Sequence, residues 1–215
     1  MHSRSATPSR TRTVASVLGP ALGCLLLAGT LGACSDSPEP PAESAYEATP
    51  LSDFDASTVT LDRTDFCGDL SEDAVKYTVG KVAATKHYGN GDPVKLTKGV
   101  KDVAHEYNCT FVGKSGVTAR AWVFVPQVTT QRAKELVTAA GKVKGCTLVD
   151  GKGFGTPGTG RVCRTDKETE VAYSGLFVDT WLTCSLTRPD PKADQADMLR
   201  ETGEWCVAAA EAAAN

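Results

Sequence analysis

The chain has 215 residues, of which 41% are hydrophobic and 23% charged, and its formal net charge at pH 7 is −3. That length suits one domain of ordinary size behind an export signal, with enough apolar residues for a sizeable core. There is no basic excess, which argues against nucleic acid as a partner. The run Lys76, Lys81, Lys86, Lys95, Lys98 and Lys101 is interleaved with Asp92 and Asp102 and reads as a solvated face.

Residues 1–33 carry the three parts of a secretory signal. Arg4, Arg10 and Arg12 make a positive start, Val14 to Ala33 is an apolar stretch rich in Ala, Leu and Gly, and the small residues Gly32 and Ala33 close it. Leu31-Gly32-Ala33-Cys34 then resembles a lipobox, the cleavage and lipidation signal of bacterial lipoproteins. An uncleaved membrane helix is the alternative, since the apolar stretch has about the length a bilayer needs. Pro20 and four glycines in that stretch count against a permanent span. Cys24, after Leu22-Gly23, is a weaker match because Leu25-Leu26-Leu27 continues the apolar run past it. Cys34 is therefore the expected lipidation site. One acyl chain binds a bilayer marginally and stable anchoring needs more. The diacylglyceryl thioether of a lipobox Cys, often with a further N-acyl group, would hold the protein on the outer face of the cytoplasmic membrane.

Cleavage before Cys34 removes three Arg and no acid, leaving 20 Lys and Arg against 26 Asp and Glu, a net −6. Asp36, Glu39, Glu43, Glu47, Asp53 and Asp55 lie in residues 34–57, which hold no Lys or Arg. The Pro, Ser and Ala content of this segment predicts a disordered, extended tether. Residues 58–215 are the expected single folded domain.

In chain order, Ser71 is a fair N-cap, and Leu70 and Val75 have the spacing of a hydrophobic staple. Ala74, Val75, Val79 and Val82 share a face, which predicts a helix over 71–82. Gly89-Asn90-Gly91-Asp92-Pro93 reads as a loop. Alternation predicts strands at 105–112 and 117–125, joined as a hairpin through Lys114-Ser115-Gly116. Thr129 or Thr130 caps a helix whose Ala133, Leu136, Val137 and Ala140 lie on one face and which stops at Gly141. A glycine-rich loop, Gly151 to Gly160, precedes strands at 160–165 and 168–174 and a longer one from Leu176 to Leu186. Asp190-Pro191 starts a last helix in the order cap then proline. Hairpin-linked strands predict an α+β fold, a single antiparallel sheet with helices packed mainly on one face.

Six cysteines remain after cleavage and lipidation: Cys67, Cys109, Cys146, Cys163, Cys184 and Cys206. An even number in an exported domain reads as a disulfide framework. Fifteen pairings are open to six cysteines. The placement of the elements favours Cys67–Cys109, with a helix start packed on a strand, and Cys184–Cys206, with the last helix folded back along the long strand. Cys146–Cys163 follows by elimination. A helix running unbroken from Pro191 would carry Cys206 roughly 10 Å past Cys184, so that pair needs a later start or an angled return. A competing map joins Cys67 to Cys206.

The spacing offers no CxxC motif, and His87 and His105 have no other ligand near them in sequence, so no metal is expected. No cofactor is expected either. Gly153-Phe154-Gly155-Thr156-Pro157-Gly158 matches GxGxxG, but a dinucleotide site needs a strand before it and a helix opening at it. It reads as a flexible surface loop, or as a loop gating a ligand. There is no GxSxG elbow, and Glu168 and Glu170 read as solvent charges, so no catalytic residues are assigned. Asn108-Cys109-Thr110 has the glycosylation pattern but lies in a predicted strand. Trp122, Phe124, Phe177 and Trp181 fall opposite, or partly opposite, the aliphatic faces of their strands. They pack as a second core face, or they line a groove for an apolar or sugar-like ligand.

The lipobox Cys, the acidic tether, Phe66-Cys67-Gly68-Asp69-Leu70-Ser71 opening a helix, and Tyr107-Asn108-Cys109-Thr110-Phe111 in a strand together resemble small secreted lipoproteins of high-GC Gram-positive bacteria. The resemblance covers about a third of the chain. It implies a cell-envelope protein with a disulfide-bonded α+β domain and supplies no catalytic residues. The expectation is a membrane-anchored, extracytoplasmic module that binds an envelope ligand or protein and is not an enzyme. A hydrolase or transferase acting on envelope material, and a purely structural protein, are the alternatives.

Overall fold

In the computed structural model, residues 46–97 and 100–214 are described. The expected signal peptide, Cys34 and the first part of the expected tether lie outside them. The described residues form a seven-stranded antiparallel sheet, a separate two-stranded ribbon and three α-helices. The expected α+β class with one main antiparallel sheet is what the chain adopts.

The strands are β1 Val82–Tyr88, β2 Pro93–Thr97, β3 Val100–Val103, β4 Glu106–Gly113, β5 Thr118–Phe124, β6 Cys146–Val149, β7 Gly158–Arg164, β8 Thr169–Phe177 and β9 Thr180–Arg188. The helices are α1 Glu72–Val79, α2 Thr130–Ala140 and α3 Gln195–Ala212. Spatial order in the large sheet is β1-β4-β5-β9-β8-β7-β6, with β2 and β3 pairing only with each other. Strands β6 to β9 form a meander of consecutive hairpins, whereas in the other half β1 pairs with β4 across the inserted β2–β3 ribbon and β4 and β5 form a hairpin; the halves meet where β5 pairs with β9.

Alternation assigns the two faces. Ala119, Ala121 and Val123 of β5, Leu182, Cys184 and Leu186 of β9, and Val171 and Tyr173 of β8 turn to one side. There they meet Val75 and Val79 of α1 and Met198, Trp205 and Cys206 of α3 in the main core. Trp205 packs edge-to-face on Phe111, with centroids 6.0 Å apart, and its indole N–H donates to the Arg120 carbonyl at 2.9 Å. On the other side, Leu176 and Trp181 are buried with Val128 and Ala133, and Phe124, Leu136 and Val137 pack around them. The helices thus lie mainly on one face, with α2 alone on the second.

The caps follow the local chemistry. Ser71, Thr129 and Asp194 each accept a backbone N–H of their helix through the side chain. The last of these corrects the expected start of α3 from Pro191 to Gln195. The later start removes the overshoot and puts Cys206 beside Cys184. Three disulfides close, Cys67–Cys109, Cys146–Cys163 and Cys184–Cys206, with Cα separations of 5.6, 4.0 and 5.5 Å. The competing Cys67–Cys206 map does not occur.

Four other expectations change. The long strand Leu176 to Leu186 is two strands, because the chain reverses tightly at Val178-Asp179. Val178 takes φ 58°, a left-handed conformation foreign to a β-branched residue, so the sequence carries no turn signal there. Strands β1, β2, β3 and β6 were not expected, since they lie at sheet edges or in the ribbon and lack a clean alternation. The GxGxxG segment is not a flexible surface loop. Phe154 is fully buried, edge-to-face on Phe177 at 5.2 Å. Gly175 makes the insertion possible, since a Cβ there would lie 1.8 Å from the Phe154 carbonyl oxygen.

The expectation of a disordered segment reaching position 57 does not hold for residues 46–57. Residues 51–53 and 56–58 form short 3-10 turns, and Leu51, Phe54 and Ala56 pack against the main core. Tyr46 lies 5.5 Å from the Tyr77 ring. Gly203, inside α3, leaves room for Leu51, whose Cβ would stand 3.0 Å from an added methyl. Average polarity hid these anchors: a few apolar side chains in an acidic segment suffice when a helix offers a notch.

Val178→Asn should raise stability by about 1 kcal/mol, because a residue that tolerates the left-handed region replaces one that does not. Denaturant melts measure this directly. Replacing both Cys184 and Cys206 by Ser should cost about 3 kcal/mol in the same assay, by freeing the unfolded chain.

Candidate functional site: an uncovered sheet face

α2 packs on β7 and β8. The β1-β4-β5 half of the same face has no covering helix among the described residues. Register sets a row of side chains across it: Tyr88, Asn108, Trp122, Thr183 and Ser174. The next row is Lys86, Thr110, Arg120, Ser185 and Ala172. This surface is polar and aromatic where the opposite face of the same strands is aliphatic.

Its centre is a cation on a ring. The Arg120 guanidinium carbon lies 5.1 Å from the Trp122 ring centroid, within cation–π range. Among the described residues no carboxylate reaches Arg120 at ion-pair distance. The acid nearby is already engaged, since the Tyr88 hydroxyl donates to Glu106 at 2.5 Å. Burial, and then that carboxylate, push the Tyr88 phenol up to about 12, while the positive Arg120 opposes the shift.

Beneath the cation lie polar atoms without partners. Asn108 is 1% exposed and takes one hydrogen bond, from the Thr110 hydroxyl at 3.0 Å. Its Nδ2 has none among the described residues. Turning the amide over would move the deficit to its oxygen, so one end is unsatisfied either way. Ser185, also 1% exposed, has an unpartnered Oγ. The adjacent Thr183 donates its hydroxyl to Ser174 at 2.9 Å. Each buried polar group left without a partner costs about 1–3 kcal/mol. The two lie on the strands that flank β5, Asn108 across from Trp122 and Ser185 across from Arg120, and such groups are ordinarily completed by water or another molecule.

At the border with α2 the face continues into a cavity of about 340 Å³ lined by His105, Glu106, Phe124, Gln127, Arg132 and Leu136. It offers an imidazole, an acid and a guanidinium, but its lining has no Ser, Thr or Cys to act as a nucleophile. A wider groove of about 890 Å³ runs between α1 and β1 on the other face, over Leu70, Val75 and Phe111.

The four aromatic residues singled out in the sequence do not form one groove. Phe177 belongs to the main core beside Phe154. Trp181 is buried under α2, with Phe124 at the edge of that cluster. Trp122 alone stands on the uncovered half. Sequence reading missed Tyr88, Asn108, Arg120 and Ser185, because β1 was not recognised and a polar residue in a strand reads as solvent-facing. The period-two pattern could have put Arg120 beside Trp122. Its place over Ser185 depends on a pairing 65 residues apart, Arg120 with Ser185.

The structure does bring ligand-type side chains together elsewhere. His87 Nε2 and Asp65 Oδ2 are 3.0 Å apart with Cys67 alongside. Cys67 is tied up in its disulfide, which removes the thiolate a metal would need. Glu170 is paired with Arg161 at 3.2 Å. The Asn of the glycosylation pattern is Asn108, whose burial closes it to modification. No helix among the described residues is long and apolar enough to cross a membrane.

No family model matches the chain, and no curated protein does. Among solved structures, a GTP binding regulator from Thermotoga maritima is similar at 11% identity and a TM-score of 0.30, over 67% of this chain and 87% of that one. A likeness at that level carries no argument about function.

The neutral Tyr88 phenol is the form favoured by the fold. Its contribution to stability is complete below the ordinary phenol pKa of about 10. It is lost as the pH rises through about 12. Ultraviolet titration should show a phenolate step near pH 12 that Tyr88→Phe removes and Glu106→Gln moves down.

Proposed function

We propose that this protein is a lipid-anchored binding module of the cell envelope. It is held by Cys34 on the outer face of the cytoplasmic membrane and takes its ligand or partner on the uncovered β1-β4-β5 face. The observation that carries the binding role is the pair of buried, unpartnered polar groups, Asn108 and Ser185, under the Arg120–Trp122 stack. A surface kept only for solubility gains nothing from such groups. The export reading rests on the signal and lipobox, and three disulfides accord with an oxidising compartment. The role is binding without covalent chemistry, because the residues gathered on the face are donors, acceptors and rings.

Two measurements test this. Cys34→Ala should leave the precursor unlipidated and free any processed protein from the membrane; lipidation of the mutant at the same mass would show Cys34 to be the wrong site. For the face, wild type and an Arg120→Gln/Trp122→Ala variant are extracted from the envelope in mild detergent and their bound molecules identified by mass spectrometry. A species retained by wild type and lost from the folded variant is the expected result, and identical profiles would overturn the assignment.

A further inference from the structure

We infer that the Cys67–Cys109 disulfide is a thiol–disulfide exchange site that oxidises a dithiol in an extended peptide. The site lies on the face opposite the Arg120 surface and goes beyond the binding role proposed above. Three observations converge on it. The first is that its two sulfurs are unequally placed. Cys109 is 0% exposed within the main core, whereas Cys67 is half-buried and lines the groove of about 890 Å³ between α1 and β1. An incoming thiolate can therefore reach one sulfur of the bridge and not the other, and the sulfur attacked sets the course of exchange. The other bridges lack that asymmetry, since Cys184 and Cys206 are both buried and Cys146 and Cys163 are both half-buried.

The second is a histidine and a carboxylate held against the accessible sulfur. His87 Nε2 and Asp65 Oδ2 are 3.0 Å apart. A ring nitrogen of His87, a carboxylate oxygen of Asp65 and Cys67 Sγ all lie within 4.8 Å of one another. Asp65 Oδ1 also accepts the Cys67 backbone N–H at 3.0 Å, so one carboxylate fixes the imidazole relative to the cysteine. Sheet register puts His87 directly across from Cys109 as well. Exchange at sulfur is helped by a group that stabilises the thiolate and by a third that orients that group. Cys67, His87 and Asp65 supply this set in its bridged form.

The third is room for the substrate. Leu70, Val75 and Phe111 line the groove together with Val82 and Thr85 of β1. β1 is an edge strand of the large sheet, and its residues from Val82 to His87 are exposed, so its outer N–H and C=O groups are open to an extended chain. A peptide with apolar side chains beside its cysteines fits that setting. Its first thiolate attacks Cys67 Sγ, the S–S bond breaks, and Cys109 leaves as a thiolate that is then protonated. Its second thiolate attacks the first substrate sulfur, breaks the bond to Cys67 and expels Cys67 as a thiolate next to His87. The dithiol is oxidised by two electrons to a disulfide, and the Cys67–Cys109 bridge is reduced to two thiols. The two protons that the substrate releases pass to those sulfurs.

The experiment uses the full-length oxidised protein in detergent micelles, with acid quenching, alkylation and non-reducing peptide mapping. Glutathione, a monothiol, should be trapped on Cys67 with Cys109 alkylated as a free thiol, while the other two bridges stay closed. A two-cysteine peptide with leucines beside its cysteines should leave oxidised and reduce the bridge one for one. It should react faster than the same peptide with serines in place of the leucines. His87→Ala should slow exchange about ten-fold by removing stabilisation of the departing thiolate. Its thermal midpoint should not change, and added imidazole should restore part of the rate. Asp65 acts through His87 as a positioning residue, so Asp65→Asn should slow exchange when His87 is present and change nothing in the His87→Ala background. Glutathione on Cys109, all three bridges opening together, or no exchange in the native protein overturns the proposal. Wild-type rates in His87→Ala overturn the role of the histidine, and equal rates for the two peptides overturn the apolar-peptide substrate.

Discussion

The burial of β9 on both faces is the constraint on which the rest of the fold depends. Every residue from Thr180 to Leu186 is buried. On one side Leu182, Cys184 and Leu186 carry α3, with the Cys184–Cys206 bridge fixing the helix to the strand. On the other side Trp181 roots the α2 cluster. β9 also joins the two halves of the sheet, since its pairing with β5 is the seam between them. A strand in that position cannot alternate apolar and polar side chains without cost. Its second-face Thr183 and Ser185 are therefore buried among neighbours: Thr183 bonds Ser174, and Ser185 is left unpartnered.

The seam also locates the candidate site. β5 presents alanines and Val123 to the main core and Arg120, Trp122 and Phe124 to the other face. The Arg120 carbonyl is held from the core side by the Trp205 indole, so one residue is fixed through its backbone by α3 while its side chain serves the opposite surface. α2 covers β7 and β8 and stops short of β1 and β4. The uncovered area and the packed one are thus two parts of a single sheet face, separated by where one short helix ends. Stability is provided by the core side, which leaves the outer side free to keep groups that folding alone would not favour.

Much of the architecture was legible in the residues. The caps at Ser71 and Thr129, the β4–β5 hairpin and the amphipathic face of α2 follow from local patterns, while the three disulfide pairs, favoured from the placement of the elements and by elimination, needed the later start of α3 to be decided. The elements that escaped have a common physical cause. β1 and β6 are edge strands, half solvated, and need no strict alternation. The β8–β9 turn uses Val178 in a left-handed conformation, which no turn rule anticipates. Phe154 and Leu51 lie in segments whose composition reads as loop and tether. What buries them is a close approach to Gly175 and Gly203, residues far away in sequence.

The sequence by itself determined the export signal pattern with its candidate Cys34, the α+β class and the periodicity that turns Trp122 away from the aliphatic core. These are local properties, written in runs of a few residues. Which aromatic residues stay accessible was decided only by tertiary structure: Phe177 and Trp181 are as apolar as Trp122, yet one lies in the main core and the other under α2. The gathering of Tyr88, Asn108, Arg120 and Ser185 from four strands was decided there too. Their proximity arises from inter-strand register, which depends on hydrogen bonds between segments tens of residues apart and leaves no mark on any one of them.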